Sequence, residues 1–169
     1  MIEDVVKELG YLTLGTRLKR LGERLQGQTQ VLLEGVGVEL PSSNFPVLAA
    51  LERLGPLSVG ELTEAVGFSQ PGVTRLLDKL EAEGLVRSTQ SADDKRVRTI
   101  ALSKSGRQLI SQSKRTAWPL IEAAVAEACA GPAQPLLAAL AALEQALAAQ
   151  PLSIRAERLR ADGVRHASA

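Results

Sequence analysis

The sequence predicts a mainly α-helical fold of six helices, with one β-hairpin between the fourth and the fifth. Three observations support this prediction. Leucines recur at spacings of three and four on both sides of the centre of the chain, as on one face of a helix. A tight glycine-containing turn, Gly67-Phe68, separates two short helical segments. After Gly84 the pattern changes to the alternation that is typical of strands.

The first predicted helix is long and amphipathic and lies within residues 1–40. Glycines at four positions each weaken it by about 0.5–1 kcal/mol relative to alanine, so packing must hold it. Gly35, Gly37 and Pro41 end it. Its apolar stripe consists of Leu9, Leu12, Leu18, Leu21, Leu25 and Leu32.

The next three helices have recognisable caps. Ser43 or Asn44 is predicted to cap the second helix, whose apolar face is Phe45, Leu48, Leu51 and Leu54. Ser58 caps the third helix, and Glu61 follows three residues later as a capping-box partner. This helix ends at Gly67. Ser69 caps the fourth helix, which has Pro71 in its first turn and ends at the glycine C-cap Gly84.

Two strands follow, over residues 85–90 and 96–102, and a polar turn at 91–95 joins them into a hairpin. Ser103 caps a fifth helix that runs to about Ala130, and Pro119 is expected to kink it. A sixth helix begins near Pro135. The predicted segments are an N-terminal helix (1–40), a helix and hairpin region (41–102), C-terminal helices (103–150) and a polar, partly disordered tail (151–169).

Composition indicates a soluble globular protein. Hydrophobic residues make up 45% of the chain and charged residues 23%, which is typical of a folded domain. No apolar run approaches the roughly 20 residues that cross a bilayer, and the acidic start from Met1 to Asp4 does not resemble a signal peptide. The one cysteine, Cys129, fits a reducing compartment. We therefore expect a cytoplasmic protein that makes no membrane contacts.

The residue types that catalysis and metal binding require are scarce. His166, the one histidine, lies in the predicted tail, so no histidine base is available in the folded region and no metal-ligand set forms. Asp93 and Asp94 are adjacent carboxylates, but they lie on an exposed turn. No glycine-rich phosphate loop follows a strand. The sequence predicts neither an enzyme nor a bound cofactor.

Positive charge is concentrated in the middle of the chain. The formal net charge is only +1, yet residues 69–115 contain ten basic and five acidic side chains. A local basic surface is what a phosphate backbone requires. The alternative is a solvated, mildly basic face without a partner.

The helix-turn-helix at residues 58–84 is the strongest functional signal. In this motif the first turns of the second helix approach base edges in the major groove of DNA. Here those turns present groups suited to bases and phosphates, and Lys79, one turn later, is better placed for a phosphate. The candidate DNA-binding residues of this helix are Ser69, Gln70, Pro71, Gly72, Thr74, Arg75 and Lys79.

The hairpin adds a second candidate contact, which makes the fold a winged helix. Lys95, Arg96 and Arg98 lie around its tip, where Asp93 or Asp94 can hold a guanidinium in place. An arginine presented in this way suits a narrow minor groove. The competing hypothesis is a winged-helix protein-interaction or regulatory module acting with a separate partner, which would more often expose apolar residues on the second helix.

These segments resemble the MarR family of bacterial transcriptional regulators over about residues 5–149. The matching stretches include Phe68-Ser-Gln-Pro-Gly-Val-Thr-Arg-Leu-Leu-Asp-Lys-Leu, Gly84-Leu-Val and Asp94-Lys-Arg. The resemblance implies a homodimer built from the first, fifth and sixth helices, usually a repressor whose binding to a pseudo-palindromic operator is relieved by a small molecule or oxidant. It also implies that Gln70, Thr74 and Arg75 contact bases, that Arg96 enters the minor groove and that Asp94 supports Arg96.

Four residues are candidates for an effector site. Tyr11 and Trp118 are the largest side chains of the predicted dimer helices, and they line a cleft beside Arg17 or Arg115, or else belong to the core. Aromatic residues make up only 2% of the chain, which departs from the aromatic-acid pocket of several MarR relatives. Cys129 lies among Ala and Val, far from the N-terminal region where peroxide-sensing members have their cysteine, so we expect it to be inert.

Overall fold

The computed structural model describes residues 2–90, 98–129 and 134–167, with side chains up to residue 161. Within these ranges the chain forms nine α-helices, two short 3-10 turns and three strands. The 3-10 turns are Gly10–Thr13 and Ser42–Asn44. The helices are α1 (Val5–Glu8), α2 (Leu14–Gly35), α3 (Phe45–Leu54), α4 (Val59–Val66), α5 (Gln70–Ala82), α6 (Lys104–Arg115), α7 (Ala117–Ala128), α8 (Gln134–Ala149) and α9 (Leu152–Ala167). The strands are β1 (Leu57–Ser58), β2 (Val86–Gln90) and β3 (Arg98–Leu102).

The three strands form an antiparallel sheet in the order β1-β3-β2. The hairpin pairs Val86 with Leu102 and Gln90 with Arg98, which confirms the predicted pair of strands. Leu57 of β1 pairs with Ile100 on the other edge of β3. β1 was not predicted from the sequence, because a strand of two residues is too short to show alternation.

The chain divides into two compact units, Met1–Ile121 and Glu122–Ala169. The core of the first unit lies where α3, α4, α5 and α6 meet the inner face of the sheet. Leu48, Leu62, Leu77, Ile100 and Ile110 are fully buried there. Each such side chain stabilises the fold by roughly 1.5–3 kcal/mol relative to an exposed one. This core fixes the positions of the helix-turn-helix and the hairpin.

The N-terminal region is not the single long helix that the leucine pattern predicted. Gly10 has φ +55° and separates α1 from α2, so Leu9 and Leu12 lie outside the long helix. The Oγ1 of Thr13 donates a hydrogen bond to the carbonyl oxygen of Val6 at 2.6 Å, which closes the turn. Arg20 of α2 forms two hydrogen bonds with the Asp4 carboxylate, at 2.7 and 3.1 Å.

The predicted fifth helix is interrupted between α6 and α7. Thr116 ends α6 with φ −115° and ψ −66°, a distorted right-handed conformation that does not continue into α7. Pro119 explains the position of the break, because its nitrogen cannot donate to the Arg115 carbonyl and its ring crowds that group. The predicted effect of Pro119 is confirmed, as a break about one turn before the proline.

Of the four predicted N-terminal caps, three are confirmed and one is wrong. Ser58 and Glu61 form a reciprocal capping box, and the Oγ atoms of Ser69 and Ser103 each accept a backbone N–H at the start of α5 and α6. Asn44 occupies the N-cap position of α3, but its side chain makes no capping bond there. The preceding 3-10 turn holds Asn44 in right-handed helical geometry, with its side chain buried, so it does not act as a cap.

The second unit contains α8 and α9, and here the predicted disordered tail is wrong. Residues after Pro151 form the helix Leu152–Ala167. Arg155 donates to the carbonyl oxygens of Gln150 and Ala146 at the end of α8, at 2.9 and 2.5 Å. Among the described residues no single helix is long and apolar enough to cross a membrane, although the bent pair Pro135–Ala149 and Leu152–Ala161 passes that test jointly.

Candidate nucleic-acid interface

The helix-turn-helix consists of α4, a tight turn and α5. Gly67 ends α4 in the left-handed region with φ +67°, which a side chain would strain, and its N–H donates to the carbonyl oxygen of Thr63 at 3.0 Å. Ser69 then starts α5 by accepting the N–H of Gly72 at 3.3 Å. Only Gly67, Phe68 and Ser69 separate the two helices, which confirms the motif predicted from sequence.

The two faces of α5 differ sharply. Val73, Leu77 and Leu80 are buried in the core. The opposite face is polar, and α5, which is described throughout, exposes no large apolar side chain. The exposed residues at the start of the helix and along this face are Ser69, Gln70, Pro71, Thr74, Arg75, Asp78 and Lys79, with Gly72 half-buried.

Local hydrogen bonds hold the side chains of this face. The Oγ1 of Thr74 donates to the carbonyl oxygen of Gln70 at 3.0 Å, and the Nε of Arg75 donates to that of Pro71 at 3.3 Å. Lys79 lies 4.0 Å from Glu83, one turn further along. Arg75 is therefore oriented from the first turn of α5, while Lys79 remains exposed near the end of the helix.

An open groove of about 420 Å³ lies between the start of α3 and α5. Arg75 and Lys79 line one side, and Ser43 and Asn44 the other. Asn44 is 1% exposed, and its Nδ2 has no hydrogen-bond partner among the described residues. Ser43 and Asn44 were predicted from the sequence only as caps, so their position beside α5 was not expected.

The strands of the hairpin are attached to α5 through Glu81, a residue that was not predicted from the sequence. The Oε1 of Glu81 accepts the backbone N–H of Ser88 at 3.1 Å and its Oγ–H at 2.6 Å. The guanidinium of Arg98 pairs with Oε2 and lies 3.5 Å from the Asp78 carboxylate. The Ser88 hydrogen bonds, together with the charge of Arg98, lower the pKa of Glu81 below its usual value. Arg98, a predicted DNA contact, is thus held by two carboxylates of α5.

The other predicted site residues are spread over the first unit or lie outside the residues that the structure describes. Asp94, Lys95 and Arg96 lie outside the described residues. Tyr11 is exposed in the 3-10 turn before α2, and Arg17 is half-buried in the first part of α2.

Arg115 and Trp118 lie on either side of the break between α6 and α7. Trp118 packs edge-on against Phe45 with 6.5 Å between the ring centroids, and the Nζ of Lys114 lies 5.8 Å from the centroid of its ring. Arg115 donates to the Oγ of Ser111 at 2.7 Å, on a shallow face of α6 that includes neither Tyr11, Arg17 nor Trp118. Trp118 therefore has the packing of a core-edge residue.

A helix-turn-helix with an exposed polar and basic second helix, followed by an antiparallel hairpin, defines the winged helix-turn-helix class of DNA-binding proteins. Residues 38–97, which contain the helix-turn-helix and the first strand of the hairpin, match the profile of the MarR family. This part of the chain is therefore similar to the MarR family.

Solved structures of transcriptional regulators share this fold. The M. tuberculosis transcriptional regulator MOSR, in complex with DNA, matches with a TM-score of 0.66 and 27% identity over 81% of this chain and 97% of that chain. A mutant E. coli MarR complexed with operator DNA matches with a TM-score of 0.70 and 18% identity over 86% and 99%. Bordetella bronchiseptica BpsR, whose DNA binding is regulated by 6-hydroxynicotinic acid, matches with a TM-score of 0.60 and 19% identity over 77% and 98%.

Proposed function

We propose that this protein is a transcriptional regulator that binds double-stranded DNA as a homodimer and inserts α5 into the major groove. The observation that supports this most directly is the exposed polar face at the start of α5, with Gln70, Thr74 and Arg75 in its first two turns. Arginine pairs with guanine O6 and N7, glutamine pairs with adenine, and the threonine methyl group contacts thymine. The backbone amides near Ser69 and Gln70 suit a phosphate oxygen.

A dimer is supported by the apolar surface of the N-terminal helices. Leu18, Leu21, Leu25 and Leu32 of α2 are each 37–45% exposed in the single chain, and they share one stripe. Such stripes mark interfaces. We propose that helices within residues 1–40 and 103–150 join two copies, so that the two α5 helices meet a pseudo-palindromic operator.

Repression relieved by a small molecule is the regulatory mode that we propose. BpsR, a protein of the same fold, has its DNA binding regulated by 6-hydroxynicotinic acid. In this chain Tyr11, Arg17, Arg115 and Trp118 are the candidate effector contacts. We propose that the protein acts in the cytoplasm and catalyses no reaction.

A selection of DNA duplexes tests the central proposal. The purified protein is incubated with a randomised duplex library at fixed salt, bound duplexes are recovered over several rounds, and the enriched sequences are compared. We expect a two-fold symmetric motif whose half-sites are separated by about one helical turn. Recovery of duplexes without a shared motif would contradict sequence-specific binding.

The same experiment distinguishes a DNA-binding regulator from the alternative, a winged-helix protein-interaction module. A docking module would more often expose apolar groups on α5, and this helix exposes none of large size. An Arg75→Ala variant run beside the parent is the internal comparison. If the parent and Arg75→Ala both recover duplexes without any enriched sequence, the basic face of α5 is only a solvated surface.

A further inference from the structure

Glu81 contacts both strands of the hairpin at once. Ser88 lies on β2 and Arg98 on β3, and the register pairs Ser88 with Ile100 and Gln90 with Arg98. Because side chains alternate across a sheet, Ser88, Arg98 and Ile100 share the inward face. One carboxylate of α5 therefore joins the two strands. Its Oε1 accepts hydrogen bonds from β2, and its Oε2 accepts one from β3.

The hairpin has a second attachment to α5 at its start. The N–H of Gly84 donates to the carbonyl oxygen of Glu81 at 2.9 Å, and the N–H of Leu85 donates to that of Leu80 at 2.9 Å. This pair of bonds is a Schellman motif, in which Gly84 has φ +70°. The turn fixes where β2 leaves the helix, while Glu81 fixes the strands further along. Two separate attachments define a direction, which one attachment does not.

The hydrogen bonds that Glu81 accepts are charge-assisted, because its carboxylate is ionised. The side chain of Glu81 is 38% exposed and that of Arg98 is 33% exposed, so the pair is partly shielded from water. Hydrogen bonds in which a partner is charged are about twice as strong as neutral ones. Asp78, one turn earlier on α5, is a second acidic group close to Arg98.

These acidic groups are unfavourable for DNA binding if charge alone is considered. Asp78 and Glu81 lie on the helix that is proposed to enter the major groove, where negative side chains repel phosphates. A role in holding the hairpin accounts for an acid at position 81, because Ser88 donates two hydrogen bonds to it and Arg98 offers a cation.

We propose that Glu81 is a positioning residue that fixes the direction of the hairpin relative to α5 and thereby sets how much the DNA flanking each half-site contributes to affinity. This inference rests on the proposed function, since the flanking contacts belong to an operator complex. Glu81 itself contacts the hairpin rather than the DNA.

The test compares Glu81→Gln with the parent on three duplexes: the selected operator with A·T-rich flanks, the same operator with G·C-rich flanks, and a core without flanks. We expect Glu81→Gln to weaken binding to the A·T-rich operator about tenfold, the size of one charge-assisted hydrogen bond. Its affinity for the core duplex without flanks should equal that of the parent. Glu83→Gln is the matched control, because it removes the same charge from the end of α5. It should not weaken binding to any of the three duplexes.

Two outcomes would overturn the inference. Tighter binding of Glu81→Gln to every duplex would mean that its charge acts only by repelling phosphates. Equal weakening on the core and on both flanked operators would mean that Glu81 supports α5 and has no particular effect on the hairpin.

A measurement without DNA separates this inference from the proposed function. Spin labels at Thr89→Cys on β2 and Ala65→Cys on α4, in a Cys129→Ala background diluted with unlabelled protein, report the distance between hairpin and helix. The parent should give a narrow distribution and Glu81→Gln a broad or displaced one, while Glu83→Gln should match the parent. Identical distributions in all three would exclude positioning, whatever the DNA results, and a change without any operator binding would contradict only the proposed function.

Discussion

Gly106, in the first turn of α6, lies directly against the backbone of Leu85, and a Cβ atom at position 106 would be 2.1 Å from the Leu85 carbonyl oxygen. That oxygen also accepts the N–H of Ser103 at 3.0 Å, and the Oγ of Ser103 donates to the Gly84 carbonyl oxygen at 2.6 Å. The start of α6 is therefore joined to the start of the hairpin through backbone atoms that cannot move independently.

We expect Gly106→Ala to destabilise the protein. The added methyl group meets backbone and not a flexible side chain, so the cost should be at least the roughly 1–3 kcal/mol typical of overpacking. Thermal unfolding followed by circular dichroism measures it. Gly60→Ala is the control, since the nearest atom to its Cβ is the Ser58 Oγ at 4.0 Å, and its Tm should be unchanged or higher. Equal Tm values for Gly106→Ala and the parent would contradict the close approach.

Replacing Arg75 with alanine should change the sequence specificity of DNA binding, whereas replacing Lys79 should change only its affinity. Arg75 lies in the early turns of α5, so its loss should cost about 1–3 kcal/mol on the operator and relax preference at one base pair per half-site. Lys79 lies near the other end of α5, so its replacement should weaken binding to all DNA sequences alike and reduce the salt dependence of binding. Competition binding against mutated operators distinguishes them. Uniform loss for Arg75→Ala would identify it as a phosphate contact.

Glu81 should make stability depend on pH in the acidic range. Its folded-state pKa is lowered, so its ionised form stabilises the fold above the unfolded pKa of about 4.3, and this contribution is lost as pH falls through the folded pKa. Glu81→Gln should therefore be less stable than the parent at neutral pH and approach it on acidification below about pH 4. Urea unfolding at several pH values measures the difference. A constant difference across this range would show that the charge of Glu81 is not responsible.

Self-association should depend on the exposed stripe of α2. The parent should sediment at about twice the chain mass of 17.9 kDa. Replacing both Leu21 and Leu25 with glutamate should shift it toward a single chain, because charges would be buried at the interface. Lys19→Glu adds negative charge to an exposed position of the same helix and should remain dimeric. A parent that sediments as a monomer would remove the basis for a two-fold operator.

The sequence predicted the central part of the fold better than its ends. The cap residues Ser58, Ser69 and Ser103 act locally, so their effects are visible in a short window of sequence. The leucine spacing in the first 40 residues did not reveal the break at Gly10, because periodicity does not report the sign of φ. Pro151 was interpreted as the start of a tail, yet its carbonyl oxygen accepts the Arg155 N–H in the first turn of α9.

The candidate site was predicted in part, for a similar reason. Exposed residues of α5 follow from helical periodicity, because the buried positions Val73, Leu77 and Leu80 fix the opposite face. Glu81 was missed because its partners, Ser88 and Arg98, are 7 and 17 residues away and meet it only after the hairpin folds back. Contacts of this kind depend on strand register, which a single sequence specifies weakly.

The tip of the hairpin provides the last prediction. Gln90 pairs with Arg98 as the last described pair before the tip, and residues 91–97 between them include Asp94 and Arg96. We expect Arg96 to enter the minor groove beside the major-groove contact, where narrow A·T-rich steps attract it most. Arg96→Ala should then lose most affinity on operators with A·T-rich flanks, as measured by fluorescence anisotropy at one fixed salt concentration.

Asp94→Ala gives the sharper result, because two explanations predict opposite signs. If Asp94 orients the Arg96 guanidinium, its removal should reproduce part of the Arg96→Ala loss on the same A·T-rich operators. If Asp94 acts only through its charge, its removal should strengthen binding, since a negative group near phosphates is lost. Asp93→Ala, one residue earlier, removes the same charge and should leave binding unchanged or tighter. Tighter binding by Asp94→Ala as well would show that the carboxylate does not orient Arg96.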